Sequence, residues 1–281
     1  MNKCKMKLLS LVVALLLVVF ATACNSDDTT ADVDNGDTTR RAHLNFIDQG
    51  ITDEQLAEMI ASGEIHGDIN RLVLTSNLIS DLTPLRELTE LRLLTLSDNP
   101  ISDLTPLSEL TNLTSLVIAG GNISDLTPLS GLTNLTVLNV SNNQISDLTP
   151  LSSLINLEAL ILHHCQIVDI TPLEGLTSLT WIHLSHNQVS DLSSLSGLTN
   201  LTALYLANNL VVDITPISGL ISLEDVDVSS NQISDAMPLG ELKNMRLINF
   251  LDNPLITQEQ IDDLLLILPE SCFRGIREGD T

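Results

Sequence analysis

Residues 91–99 read Leu91-Arg92-Leu93-Leu94-Thr95-Leu96-Ser97-Asp98-Asn99. The frame of that nonamer decides the fold, because it returns every 22 residues. Stepping by 22 from Asn77 reaches Asn99, Gly121, Asn143, Cys165, Asn187, Asn209, Asn231 and Asn253. Three residues before these stops stand Leu74, Leu96, Ile118, Val140, Leu162, Leu184, Leu206, Val228 and Phe250. The columns five and eight before them are also apolar throughout, from Leu72 to Ile248 and from Ile69 to Met245. The spacing never slips over 69–253.

Apolar residues two apart face one side of an extended strand, so each copy supplies one short strand. An identical coil of chain per copy stacks those strands in parallel, roughly 4.8 Å apart. No copy buries its leucines alone; each is covered by its neighbours. The residue at each stop turns inward where the strand ends. An Asn there both donates to and accepts from backbone groups that the bend leaves buried. Cys165 suits the slot as a small buried thiol, whereas Gly121 has nothing to bond with, and Asn122 or a water is expected to substitute. Nine frames of L-x-x-L-x-L-x-x-N identify a leucine-rich repeat.

The return leg is as regular. Ile79-Ser80-Asp81-Leu82-Thr83-Pro84-Leu85 is followed by the same pattern at Asp103/Pro106, Asp125/Pro128, Asp147/Pro150, Asp169/Pro172, Asp213/Pro216 and Asp235/Pro238. Ser194 interrupts the Pro column once. Thr before Pro reads as a cap and a first helical position, so a short 3-10 turn is expected on the outer side. The Asp column is expected to shape each turn through backbone N–H groups, with calcium as the competing reading of repeated carboxylates. These motifs resemble the bacterial 22-residue, internalin-type leucine-rich repeats over residues 69–253 and both flanks. The resemblance implies an α/β fold: a leucine-rich-repeat solenoid, a right-handed superhelix with one parallel strand and one convex 3-10 turn per repeat, and helical caps. It also implies protein binding. The further C-terminal modules and wall-sorting signal of internalins are not expected in the short tail after Pro269.

Outside the repeats, residues 1–23 read as a signal peptide. Lys3, Lys5 and Lys7 precede an apolar run from Leu8 to Phe20, which is short for a spanning helix. Ala21-Thr22-Ala23 then stands before Cys24, which resembles a lipobox with Ala21 in place of the usual Leu. Lipidation at Cys24 is the first reading; plain secretion and an uncleaved anchor are the alternatives. Residues 24–42 are small, polar and acidic, a composition expected to form a disordered tether. The formal charge is −24, and losing the three lysines makes it more negative. That balance argues against nucleic acid, whose phosphates call for Lys and Arg.

Two caps close the solenoid. In 43–68, Thr52 and Gln55 form a capping box, Ile51 and Leu56 occupy staple positions, and Gly63 stops the helix. In 254–281, Thr257 and Gln260 repeat the device, with Ile261, Leu264, Leu265 and Leu268 facing inward and Pro269 as the stop. Terminal repeats need such covers because their leucines are otherwise exposed. The four cysteines give no disulfide framework, since Cys165 and Cys272 are expected to lie roughly 20 Å apart at one strand spacing per repeat.

Six, four and two residues before each stop, side chains point to the other, concave face of the sheet, and the residue just before the stop borders it. Most are small there, as at Thr75, Ser97, Ala119, Ser141, Ser185, Ala207 and Ser229. Four consecutive repeats differ. They contribute Ile161, His163 and His164, then Trp181, His183 and His186, then Tyr205, then Asp225 and Asp227. The single Trp, the single Tyr and four of the six His of the chain thus share one area. Drift on a tolerant surface is one reading of it. Recognition is the other, because Trp and Tyr are typical anchors. A metal site there is disfavoured: His164 and His186 share a register, but Asn142 and Asn208 flank them where a third good ligand is needed. Catalysis is not expected, since Cys165 points inward and His163 and His183 outward, and no phosphate loop or zinc-protease motif occurs. No cofactor is expected. The expected function is that of an envelope-anchored monomer outside the cytoplasm, binding a protein or, as the other class, a glycan on the concave face. A passive spacer without a ligand is the alternative.

Overall fold

The computed structural model describes residues 43–269 and 272–273. The signal peptide, Cys24 and the tether expected at 24–42 lie outside the described residues. The strands are β1 (His43–Asn45), β2 (Arg71–Val73), β3 (Leu93–Thr95), β4 (Ser115–Val117), β5 (Val137–Asn139), β6 (Ala159–Ile161), β7 (Trp181–His183), β8 (Ala203–Tyr205), β9 (Asp225–Asp227) and β10 (Leu247–Asn249). They form one parallel sheet in chain order. Each pair joins residues one repeat apart, as Leu94 opposite Leu116 and Leu160 opposite Ile182. Nine strands come from the repeats. The tenth, β1, comes from the N-terminal flank, where the sequence pattern shows only a helix. It pairs because Phe46 N–H donates to Val73 O and because Leu44 and Phe46 pack on the core.

The inward columns make one continuous core of Leu, Ile and Val, nearly all inaccessible to solvent. Leu88, Leu110, Leu132, Leu154, Leu176, Leu198, Leu220 and Leu242 add a further buried column on the return leg. A 3-10 turn lies on the outer side of each repeat but the ninth, which leads into the C-terminal helix, as at Thr105–Leu107 and Ser193–Leu195. Thr is not its cap. The Thr or Ser (Met237 in the last) is the first residue of the turn, and the Asp two before it accepts its N–H, at 2.8 Å for both Thr105 and Thr171. The Asp carboxylate ends the coil with a local Asx bond that a hydroxyl one turn later does not reach. The hydroxyls of Thr105 and Thr127 and then their backbone N–H groups hold Asp103 and Asp125 below the ordinary carboxylate range.

The inner slot is occupied by amides making four bonds each, or five at Asn77. Asn187 Nδ2 donates to Leu162 O and Leu184 O at 2.9 Å and to Ser185 O at 3.4 Å. Its Oδ1 accepts from Ile167 N at 3.0 Å. Asn99, Asn209, Asn231 and Asn253 repeat this geometry, so every amide ties its own turn to the one before. Gly121 departs from it in an informative way. Asn122 is exposed and does not fill the gap; instead Ile101 N–H donates to Asn99 O at 2.8 Å. The backbone has closed in, since a Cβ on Gly121 would stand 3.0 Å from Ile101 O and 3.1 Å from Asn143 Oδ1. Cys165 is half-buried rather than buried, and its thiol donates to Val140 O over 3.6 Å.

A second amide series runs down the opposite flank. Asn112, Asn134, Asn156 and Asn200 each donate Nδ2 to a Thr carbonyl of the preceding coil, at 2.8–2.9 Å. The ends are closed by helices at Asp53–Ala61 and Gln258–Ile267. Thr52 and Gln55 form the reciprocal capping box. At the far helix only half the box is present: Thr257 accepts from Gln260 N, but the Gln260 side chain reaches across instead. It donates to Ser234 O and accepts from Ala236 N, which fastens the helix to the last repeats. Cys272 is buried beside it and donates its thiol to Met245 O. No helix among the described residues is long and apolar enough to cross a membrane.

Candidate functional site

Strand register puts the singled-out residues in two rows across the sheet. Ala159, Trp181, Ala203 and Asp225 stand opposite one another on β6 to β9. Ile161, His183, Tyr205 and Asp227 form the row beside it. His163 follows β6. Its ring centroid is 4.7 Å from that of His183, which in turn is 5.3 Å from Tyr205. Tyr205 and Trp181 are 5.2 Å apart and tilted by 46°, a favourable aromatic geometry. The structure therefore brings Trp181, His163, His183 and Tyr205 into one continuous aromatic surface.

The lower edge of that surface is apolar. Val137, Ala159 and Ile161 form a small cluster of their own, and Trp181 packs against it. Ile161 is only 5% exposed, so this residue, expected as a contact, is floor rather than contact. The concave curvature crowds neighbouring side chains and covers the short ones, which alternation along a strand does not reveal. Trp181 Nε1 is buried with no acceptor among the described residues, an uncommon state for an indole donor.

His164 and His186 occupy a different place. Both have positive φ, 54° and 59°, as do Ser76, Asp98, Asn142, Asn208, Ser230 and Asp252 in the same column. Every repeat thus turns left-handed just before its ladder residue, and small polar residues or Gly120 meet that demand elsewhere. The two imidazoles stack with centroids 3.9 Å apart and planes 10° apart, forming a flat ledge on the lip of the concave face. Among the described residues no group of three or more His, Cys, Asp or Glu is arranged to hold a metal ion.

Beyond the lip lie residues that the sequence pattern alone leaves unnoticed. Val168, Leu210 and Val212 are 46–56% exposed. Val168 and Val212 stand where other repeats have Ser80, Ser102, Ser124, Ser146, Ser190 and Ser234. Reading that column at the repeat spacing was the available signal. These apolar residues lie in two of the repeats that carry the aromatic patch.

Electrostatics set His183 apart from an ordinary exposed histidine. His183 does not titrate near the ordinary 6.5: burial, with the charges of His163 and His186 adding, holds it down to about 4. Burial also lowers His163 and His186. Mild acidification therefore leaves His183 uncharged, so the patch gains less charge than its His count suggests. The linkage has a definite sign. As pH falls through 6.5 the unfolded chain takes up the His183 proton first, so folding is weakened between about pH 6.5 and about 4 and levels off below that. After allowance for solvent screening of a partly exposed ring, about 1–2 kcal/mol is expected over that window. Denaturant melts of the wild type and of His183→Gln at pH 7 and pH 4.5 check this: the variant should lose less. Equal losses would leave His183 out of the pH response.

Comparison with curated protein sequences finds no match. The leucine-rich-repeat family model, of two copies per match, fits residues 89–131, 111–153, 133–175 and 177–220. Among solved structures, an internalin (InlF) of Listeria monocytogenes is 37% identical with a TM-score of 0.64, covering 66% of this chain and 54% of its own. The chain thus spans about half the length of that relative. An internalin C2 (InlC2) of the same species is 32% identical with a TM-score of 0.51, over 74% of this chain and 80% of its own. The functional domain of InlJ, also from Listeria monocytogenes and described as including a cysteine ladder, is 25% identical with a TM-score of 0.52, over 67% and 45%.

Proposed function

The chain belongs to the internalin-type leucine-rich-repeat family, and on that premise we propose that it is a recognition protein which binds a protein partner through the concave patch of β6 to β9. The observation that carries the reading is the convergence of Trp181, Tyr205, His163 and His183 on one face of a sheet whose other strands carry no Trp, Tyr or Phe. A preformed sheet holds these side chains without ordering a loop on binding, which lowers the entropic cost of association. The work is binding rather than catalysis. Cys165 serves the inner ladder, where burial pushes its thiol above its ordinary range and disfavours the reactive thiolate. The InlJ domain has a series of cysteines by its description; here a single Cys takes one slot in a series of Asn.

The proposed setting is the outer side of a bacterial membrane, with Cys24 lipidated and 24–42 acting as tether. Its basis is Cys24 directly after Ala21-Thr22-Ala23 and the apolar run before them. Cys24→Ser is expected to move the chain from the membrane fraction to the soluble fraction on cell fractionation. Retention of the variant with membranes would place the anchor elsewhere.

The binding reading is tested by affinity capture from the envelope and surroundings of the source cells, with wild type and Trp181→Ala run side by side. A partner held by the wild type and lost by the variant supports the patch. A partner held equally by both rejects it.

A further inference from the structure

The two acidic residues at the end of the patch are not equivalent. Asp227 is engaged within the fold: its Oδ1 accepts Ser229 N–H and Oγ–H, and its Oδ2 accepts from Asn249 Nδ2 at 3.0 Å. The Asp225 carboxylate receives no hydrogen bond among the described residues. Arg246, whose charge reaches Asp225, gives its Nη1 to Glu224 Oε2 at 3.2 Å. Burial raises the Asp225 carboxyl above its ordinary range, so the group is partly desolvated without a paired cation.

Its position gives the carboxylate a use. Asp225 stands in the same row as Trp181, with only Ala203 between them. Two strand spacings separate their Cα atoms, about 9.6 Å. Ala203 ends at Cβ and is buried, so Trp181 and Asp225 are the side chains that rise on either side of it. Tyr205 stands two residues along β8 from Ala203, its ring beside that of Trp181. An aromatic face and an open carboxylate at that separation fit a planar cation, which stacks on the rings while donating to the carboxylate. The neighbouring His183 does not oppose it, being neutral at physiological pH. The net charge of −24 draws such a group in.

We propose that the partner's anchor in this patch is an arginine side chain, its guanidinium stacked on Trp181 and Tyr205 and ion-paired with Asp225. This rests on the binding reading above and adds the chemistry of the partner. A lysine fits less well, since its ammonium neither stacks nor pairs through two parallel bonds.

The single Trp of the chain makes its fluorescence a report on this site alone. The probe is acetyl-Gly-Arg-Gly amide, titrated into the purified full chain at low ionic strength, with the neutral citrulline peptide as counterpart. A saturable change in Trp181 emission is expected with arginine, about tenfold weaker with citrulline and with Asp225→Asn. Glu174→Gln, on the outer turn, should respond as wild type. No response to arginine, an equal response to citrulline, or an unchanged response in Asp225→Asn overturns the proposal. If capture of a partner depends on Trp181 while the arginine probe ignores Asp225, the cation anchor fails and the patch stands. If capture ignores Trp181, the patch reading itself fails.

Discussion

Asn187→Ala is expected to lower stability by about 2–4 kcal/mol, since several buried groups lose their partner at ~1–3 kcal/mol each. The groups are Ile167 N–H, which loses its acceptor, and Leu162 O and Leu184 O, which lose a donor. Asn187 is buried, so water does not readily replace it. Cys165→Ala removes only long, weak thiol bonds from a half-buried slot, and about 1 kcal/mol or less is expected. Midpoint denaturant concentrations of the two variants make the comparison. Equal shifts would show that stability does not depend on the amide bonds. Gly121 explains how the fold tolerates one lapse: there the backbone itself supplies the bond, and the turn has closed too far to admit a side chain without adjustment.

Trp181→Ala is expected to weaken partner binding by about 2 kcal/mol or more, roughly thirtyfold, as for other aromatic anchors. The ring packs on Val137, Ala159 and Ile161 and against Tyr205, so it is held in place before a partner arrives. Its removal from a concave surface should cost little stability compared with the loss of a core leucine, at ~2–5 kcal/mol. Val117→Ala, on the same face but two strands before β6, should leave affinity unchanged. Titration calorimetry of the three proteins with the captured partner separates the cases. Equal affinities for wild type and Trp181→Ala would reduce the patch to surface drift.

The repeat was legible because its cause is local and repeated. Each Leu, Asn and Asp performs one job per coil, and the 22-residue spacing copies the job without insertion. The ladder of Asn99 or Asn209 follows from that spacing alone. What escaped the spacing depends on how coils meet. The left-handed column at His164 and His186 is a backbone property, hidden because His, Asp and Asn all serve there. The burial of Ile161 reflects the curvature of the sheet, and the low pKa of His183 follows from the same crowding. The tenth strand arises from Phe46 and Leu44 covering an end, a task with no repeat to copy. Trp181 and Tyr205 stood out as the single Trp and the single Tyr of the chain, and His163 against the small residues of its column. Val168, Leu210 and Val212 went unnoticed because they lie in columns outside the strand face.

Histidine chemistry offers the most direct measurement of where a partner sits, because four of the six His lie in the patch and its lip while His43 and His66 lie at the N-terminal end. Diethylpyrocarbonate labelling of the free chain and of the complex, read by mass spectrometry at each His, compares the two places within one molecule. Protection of His163, His164, His183 and His186 on binding, with His66 reacting as before, is the predicted result. Unchanged labelling at those four positions in a saturated complex would contradict it.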